Sequence, residues 1–141
     1  MRKICFVCLG NICRSPMAEF MMRELASDKE LEIASRATSG WEHGNPIHHG
    51  TQKILKKYKI AYNSSKYSQQ ISLEDFAYFD YIIGMDKTNV DDLKQLSMGQ
   101  FNQKIFLFND DGVPDPYYTG DFEETYTLVK KGCQNWLEKI N

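Results

Sequence analysis

Long apolar runs are missing from this chain. Nowhere do its apolar residues approach the roughly 20 in succession that cross a bilayer, so no membrane partner is expected. The opening run, Ile4-Cys5-Phe6-Val7, is too short for the core of a secretory leader, and no small-residue cleavage site follows it. An excess of positive charge is missing as well. Seventeen basic against nineteen acidic residues give a formal net charge of −2 with no basic stripe, which argues against nucleic acid as a partner. Cysteine is sparse: four residues without a leader do not make the disulfide framework of a small secreted domain, and free thiols in a reducing cytoplasm are expected instead. Repeats, low-complexity tracts and linkers are also lacking. A chain of 141 residues can bury one core, so residues 1–141 are expected to form a single domain.

What is present is an alternation of short apolar stretches with helical patterns. Lys3 to Val7 reads as a buried strand, Leu31 to Thr38 as a second with looser alternation, Asp80 to Met85 as a third and Lys104 to Phe108 as a fourth. Between them, a helix opens at Ser15-Pro16 with proline at its first position, and others are expected over Thr51–Tyr58 and Lys87–Leu96. The last helix opens at Asp121 with Glu124 three residues on, a capping-box spacing. Its apolar face is Phe122, Tyr126, Val129, Cys133, Trp136, Leu137 and Ile140. Strands alternating with helices predict an α/β fold, a parallel sheet with helices on both faces. In such sheets ligands bind beyond the carboxyl ends of the strands.

Cys8 falls at one of those ends, in the run Cys8-Leu9-Gly10-Asn11-Ile12-Cys13-Arg14-Ser15-Pro16. The amides of a tight strand-to-helix turn can converge on an anion at the helix N-terminus. Arg14, with five residues between it and Cys8, can grip two oxygens of a tetrahedral anion with its planar fork. A thiol at the mouth of that positive cavity would ionise well below the usual value of about 8.5 and become a nucleophile. Gly10 is expected to adopt backbone angles that a side chain forbids, Asn11 to brace the loop from within, and Ser15 to donate to the sulfur. The chemistry implied is hydrolysis of a phosphate ester through a phosphocysteine.

Such a reaction needs an acid for the departing oxygen. Asp115 is the candidate, in Val113-Pro114-Asp115-Pro116-Tyr117-Tyr118. Its flanking prolines stiffen the loop, and Tyr117 and Tyr118 can wall an aromatic leaving group.

These residues resemble the low-molecular-weight protein tyrosine phosphatase family. The resemblance covers nearly the whole chain. It runs from Val7 through Pro16 with Ala18-Glu19, through Thr38-Ser39-Gly40-Trp41 and Gly44-Asn45-Pro46, to Phe79-Asp80-Tyr81-Ile82-Ile83, Met85-Asp86 with Asn89, and Asp115-Pro116-Tyr117-Tyr118. It implies a four-stranded parallel sheet in a three-layer, Rossmann-like phosphotyrosine phosphatase I fold. It also implies a cytoplasmic enzyme without metal or cofactor, acting on phosphotyrosine-containing proteins and releasing inorganic phosphate. Cys8 would attack phosphorus, Arg14 and the loop from Leu9 and Gly10 to Ser15 would hold the phosphate, and Asp115 would serve as acid and then base. Ile12, Trp41 and Tyr117 would line the ring pocket, with Tyr118 beside them. A related branch that hydrolyses phosphoarginine tends to carry threonine where this chain has Ile12, which favours phosphotyrosine here.

Other features fit less active roles. Cys5 and Cys8 form a Cys-x2-Cys, but residues three apart on a strand face opposite ways and should not meet. Cys13 matches the family's second cysteine, which can trap an oxidised Cys8 as a reversible disulfide. Cys133 belongs to the apolar face of the last helix. His43, His48 and His49 lack the spacing of a metal site and read as surface histidines near a helix start. The chain departs from the family where a histidine usually stands behind the loop serine, having only Ser64-Ser65-Lys66-Tyr67-Ser68-Gln69-Gln70-Ile71 there. Arsenate reductases share the loop but need further cysteines after the third strand, and Met85 to Gln103 contain none. A module that captures phosphotyrosine without cleaving it would have no need for Cys8, Arg14 and Asp115 together.

Overall fold

The strongest apolar runs form the middle of the sheet. The computed structural model describes residues 1–140. Strands β1 (Arg2–Cys8), β2 (Leu31–Ala37), β3 (Tyr81–Gly84) and β4 (Ile105–Leu107) pair in the order β2-β1-β3-β4, all parallel. Helices α1 (Arg14–Leu25), α2 (His49–Lys57), α3 (Leu73–Tyr78), α4 (Lys87–Leu96), α5 (Pro116–Thr119) and α6 (Phe122–Ile140) complete the chain. The path from β1 leads outward to β2 on one side, then returns to β3 on the other. That reversal opens a crevice at the carboxyl end of β1, where Cys8 ends the strand.

Alternation along β1 divides the core in two. Ile4, Phe6 and Cys8 face a cluster built with Met17, Met21, Val129, Cys133 and Trp136 of α1 and α6. Cys5 and Val7 face the other side, against Phe76, Ile82, Val90 and Leu93 of α3, β3 and α4. Cys5 and Cys8 therefore lie in different cores, as their spacing predicts, and Cys133 is fully buried in the first.

Several local expectations need correction. Pro16 is the third residue of α1, which begins at Arg14. None of the first four amides of a helix has an intrahelical partner, so proline fits there as well as at the first position. Only half of the Asp121 capping box forms: Asp121 Oδ1 accepts from the Glu124 amide at 2.9 Å, while the Asp121 amide donates to Thr119 Oγ1. A reciprocal box does form at α3, where Ser72 and Asp75 cap one another. That helix, like the four-residue α5, is too short to show an apolar period.

Candidate active site

The loop after Cys8 has its backbone strain at one position. Gly10 does not carry it, contrary to expectation: the left-handed residue is Asn11, with φ of 57°. Asparagine tolerates that region because its short amide can bond locally, and here the amide is saturated. Asn11 Nδ2 donates to Ser15 Oγ at 2.7 Å and to Ser35 Oγ at 3.0 Å. Its Oδ1 accepts from the Gln69 amide at 3.2 Å and from Lys66 Nζ at 3.4 Å. Gly10 is instead a place of close approach, where an added Cβ would press on Glu42 Cγ at 3.3 Å.

The sulfur of Cys8 is the focus of this loop. It accepts from the Asn11 amide at 3.2 Å and lies 3.0 Å from Ser15 Oγ. Either atom of that pair can donate; a thiolate can only accept, and the Ser15 hydroxyl, whose other acceptor is the Arg36 carbonyl at 3.4 Å, is then its donor. Behind them, Ser35 Oγ donates to Glu19 Oε1 at 2.6 Å, and Lys66 Nζ lies 3.6 Å from the same carboxylate oxygen. Glu19 is also paired with Arg23 at 2.9 Å. Glu19 belongs to the stretch that carries the family resemblance but was given no role there, and nothing in the residue order assigns one to Ser35 or Lys66. Lys66 supplies a cation from the very segment that lacks the family's histidine.

Arg14 is the first residue of α1, is 2% exposed, and is clamped from three sides. Its Nη1 donates to Asp86 Oδ2 at 2.6 Å and to the Val113 carbonyl at 3.0 Å; its Nη2 donates to Asp115 Oδ2 at 3.3 Å. Burial opposes the guanidinium charge, but Cys8, Asp86 and Asp115 outweigh it and raise the pKa above the ordinary arginine value. Its Nε is buried without a partner, a donor left for a ligand to satisfy. Asp86 is another residue that motif reading did not give a role. It caps α4 through Asn89 with one oxygen and aims Arg14 with the other.

Asp115 is the N-cap of α5. Its Oδ1 accepts from the Tyr117 amide at 3.0 Å, and Pro116 takes the first helical position. Pro-Asp-Pro is thus a helix start that brings Asp115 to Arg14. The helix ends at Gly120, whose φ of 74° turns the chain into α6.

A cavity of about 160 Å³ joins these parts, lined by Cys8, Leu9, Gly10, Ile12, Cys13, Ser39, Trp41, Glu42, Asp115, Tyr117 and Tyr118. Asn11, Arg14 and Ser15 stand behind its wall, buried. Trp41 is 83% exposed at the mouth, and Tyr117 and Tyr118 meet edge to face at 5.3 Å. Ser39 and Glu42 are wall residues not expected from the chain. Cys13, the N-cap of α1, makes no side-chain capping bond, so the first amides of that helix stay open to an anion. Burial, with Cys8 and Asp115 nearby, pushes the Cys13 thiol up despite Arg14. His48 and His49 stack at 4.4 Å, and His48 Nδ1 accepts from the Gly50 amide to cap α2. Burial and then His49 hold the His48 pKa below its ordinary value.

Comparisons with known proteins agree with this geometry. The crystal structure of SP-PTP, a low molecular weight protein tyrosine phosphatase from Streptococcus pyogenes, superposes with a TM-score of 0.98 at 62% identity, covering 100% of this chain and 94% of that one. The low molecular weight protein-tyrosine-phosphatase YfkJ of Bacillus subtilis is 44% identical over 153 residues, spanning 99% of this chain and 96% of the relative. PtpA of Staphylococcus epidermidis, of the same description, is 43% identical over 145 residues, spanning 97% and 92%. The family model described as low molecular weight phosphotyrosine protein phosphatase matches residues 3–141. With its fold, its loop and its relatives in agreement, the chain belongs to the low molecular weight phosphotyrosine protein phosphatase family.

Proposed function

We propose that this phosphatase hydrolyses phosphotyrosine in proteins through a phosphocysteine on Cys8. The observation that carries the reading is the sulfur's setting. Cys8 Sγ accepts from the Asn11 amide and lies within hydrogen-bond distance of Ser15 Oγ, in a cavity whose rear holds Arg14 with a free Nε and whose wall holds Asp115.

The ester's phosphate sits against the open amides of α1 and the guanidinium, which are preorganised for the charge that spreads over its equatorial oxygens. A dianion there takes over Arg14 Nη2 and frees Asp115 Oδ2 from its 3.3 Å contact. Cys8 thiolate attacks phosphorus, the bond from phosphorus to the phenolic oxygen breaks, and protonated Asp115 gives its proton to that oxygen. Tyrosine leaves. Asp115, now a carboxylate, takes a proton from water as the water attacks phosphorus; the phosphorus–sulfur bond breaks, returning the thiolate and releasing inorganic phosphate. The Ser15 hydroxyl stabilises sulfur as attacker and as leaving group. The reaction as written calls on no metal or cofactor.

Ile12, Trp41, Tyr117 and Tyr118 give the cavity apolar walls suited to a phenyl ring, and Ile12 offers no hydroxyl to a phosphoguanidinium. Four free thiols and the absence of any helix apolar enough to cross a membrane, among the described residues, are compatible with work in the cytoplasm. The test compares phosphotyrosine, phosphoarginine and phosphoserine peptides, together with para-nitrophenyl phosphate, on wild type and Cys8→Ser. Hydrolysis of the two aryl phosphates by wild type alone is expected. Binding without turnover in the wild type, or turnover that survives Cys8→Ser, overturns the mechanism.

A further inference from the structure

Next to the phosphate cavity lies a second hollow of about 270 Å³, walled by Leu9, Thr38, Ser39, Asp92, Gln95 and Leu96. Leu9 and Ser39 line both, so the two adjoin. Three features of the second hollow call for an occupant. Asp92 is half-buried on α4 yet forms no ion pair among the described residues, whereas Asp91 beside it takes Lys87. Thr38 is 6% exposed, and its Oγ1 has no hydrogen-bond partner. Leu96 leaves an apolar side chain exposed where α4 ends. The charged side chains lining the two hollows are Glu42, Asp115 and Asp92, every one a carboxylate.

We propose that this second hollow is a substrate subsite for a lysine or arginine side chain within two residues of the phosphotyrosine. The inference rests on the phosphotyrosine reading above and names the flanking sequence that the same site prefers. A long cationic side chain matches both halves of the wall: its methylenes cover Leu9 and Leu96, and its head pairs with Asp92, with the Gln95 amide oxygen as a further acceptor. An acidic flanking residue would instead meet a mouth lined by carboxylates. A single partly exposed ion pair of this kind is worth about 1.5-fold to fivefold in kcat/KM.

The experiment measures kcat/KM on matched phosphotyrosine peptides that differ only in one flanking residue, lysine, norleucine or glutamate, for wild type, Asp92→Asn and Asp92→Lys. Para-nitrophenyl phosphate, which has no flanking residue, is the control for the chemistry. Wild type is expected to rank lysine above norleucine above glutamate, with the lysine advantage shrinking as salt is added. Asp92→Asn should lose that advantage and Asp92→Lys should invert it, while all three turn over the control alike. Equal rates on the lysine and norleucine peptides overturn the subsite and leave the phosphatase reading standing. A lysine preference that survives Asp92→Asn also overturns it, assigning the effect to Glu42. A wild type inert toward the control and the peptides overturns the phosphatase reading itself, and the subsite with it.

Discussion

Lys66 Nζ lies 3.4 Å from Asn11 Oδ1, and by way of that amide and Ser15 it is three hydrogen bonds from the Cys8 sulfur. The ammonium and the Gln69 amide, both against Oδ1, set which way the amide faces, so that both Nδ2 protons point at Ser15 and Ser35. Buried polar chains of this kind hold their shape when every member is satisfied and lose it when one end is cut.

Lys66→Met should therefore act on the thiol without touching it. Alkylation of Cys8 near pH 7 is expected to slow, and kcat to fall about tenfold with a smaller change in KM. Lys66→Arg, which keeps a cation, should restore part of both. An unchanged alkylation rate would show that Lys66 only fills space. Burial, offset in part by Glu19, also lowers the Lys66 pKa below the ordinary lysine value of 10.5. A lysine depressed in the folded state binds fewer protons there than when unfolded. Wild type should thus gain stability relative to Lys66→Met as pH rises from the folded pKa toward 10.5, readable by chemical denaturation at each pH.

Asp115 does two things at once, capping α5 and approaching Arg14. Asp115→Asn keeps the cap and loses the proton carrier, so it separates the two. Both Asp115→Asn and Asp115→Ala are expected to lower kcat on a phenyl phosphate by about 10²- to 10⁴-fold. Inhibition by inorganic phosphate should survive in each, since Arg14 remains held by Asp86 and Val113. A large loss in Asp115→Ala with near-normal turnover in Asp115→Asn would reduce Asp115 to a cap.

The four thiols differ in what burial does to them. Cys5 and Cys133 are fully buried and pushed up by desolvation, and Cys13 is pushed up by burial and then by Cys8 and Asp115. A raised pKa leaves the neutral thiol, a poor nucleophile, across the physiological range. Iodoacetamide near pH 7 should add once, at Cys8, with inorganic phosphate protecting it and Cys8→Ser taking no label. Mass spectrometry locates the adduct, and labelling of Cys13 ahead of Cys8 would contradict the assignment.

The readable parts of this molecule are those whose signal is local. β1 from Ile4 to Cys8 and β3 are unbroken apolar runs, α4 falls at the expected residues, and α6 shows its face from Tyr126 to Ile140. The Cys8 loop stood out by the spacing of Cys8 and Arg14, Asp115 only because that loop called for an acid, and the fold brings Asp115 to Arg14. The supports of that loop did not stand out. Ser35 is 24 residues from Asn11, Lys66 is 55, and Asp86 is 72 from Arg14, and each is an ordinary polar residue until the sheet closes. Asn11 rather than Gly10 carries the left-handed turn because its amide is answered on all sides, a fact only the folded neighbours supply.

Gly132 tests how tightly the core behind β1 is built. It is buried in α6 and faces the ring of Phe108, where an added Cβ would overlap the aromatic carbons. That ring cannot easily retreat: Trp136 Nε1 donates to the Phe108 carbonyl at 2.8 Å, and Phe6 of β1 meets the ring edge-on at 6.0 Å. In an exposed helix, glycine to alanine would be favourable by about 1 kcal/mol. Here overpacking, typically about 1–3 kcal/mol, acts against that gain, and the net effect should be a loss of stability. Gly132→Ala is expected to lower Tm by several degrees and Gly132→Val by more, while Lys131→Ala on the exposed neighbour leaves it nearly unchanged. A rise in Tm for Gly132→Ala would mean that α6 can slide from β4 at little cost, and that the glycine is not needed for the approach.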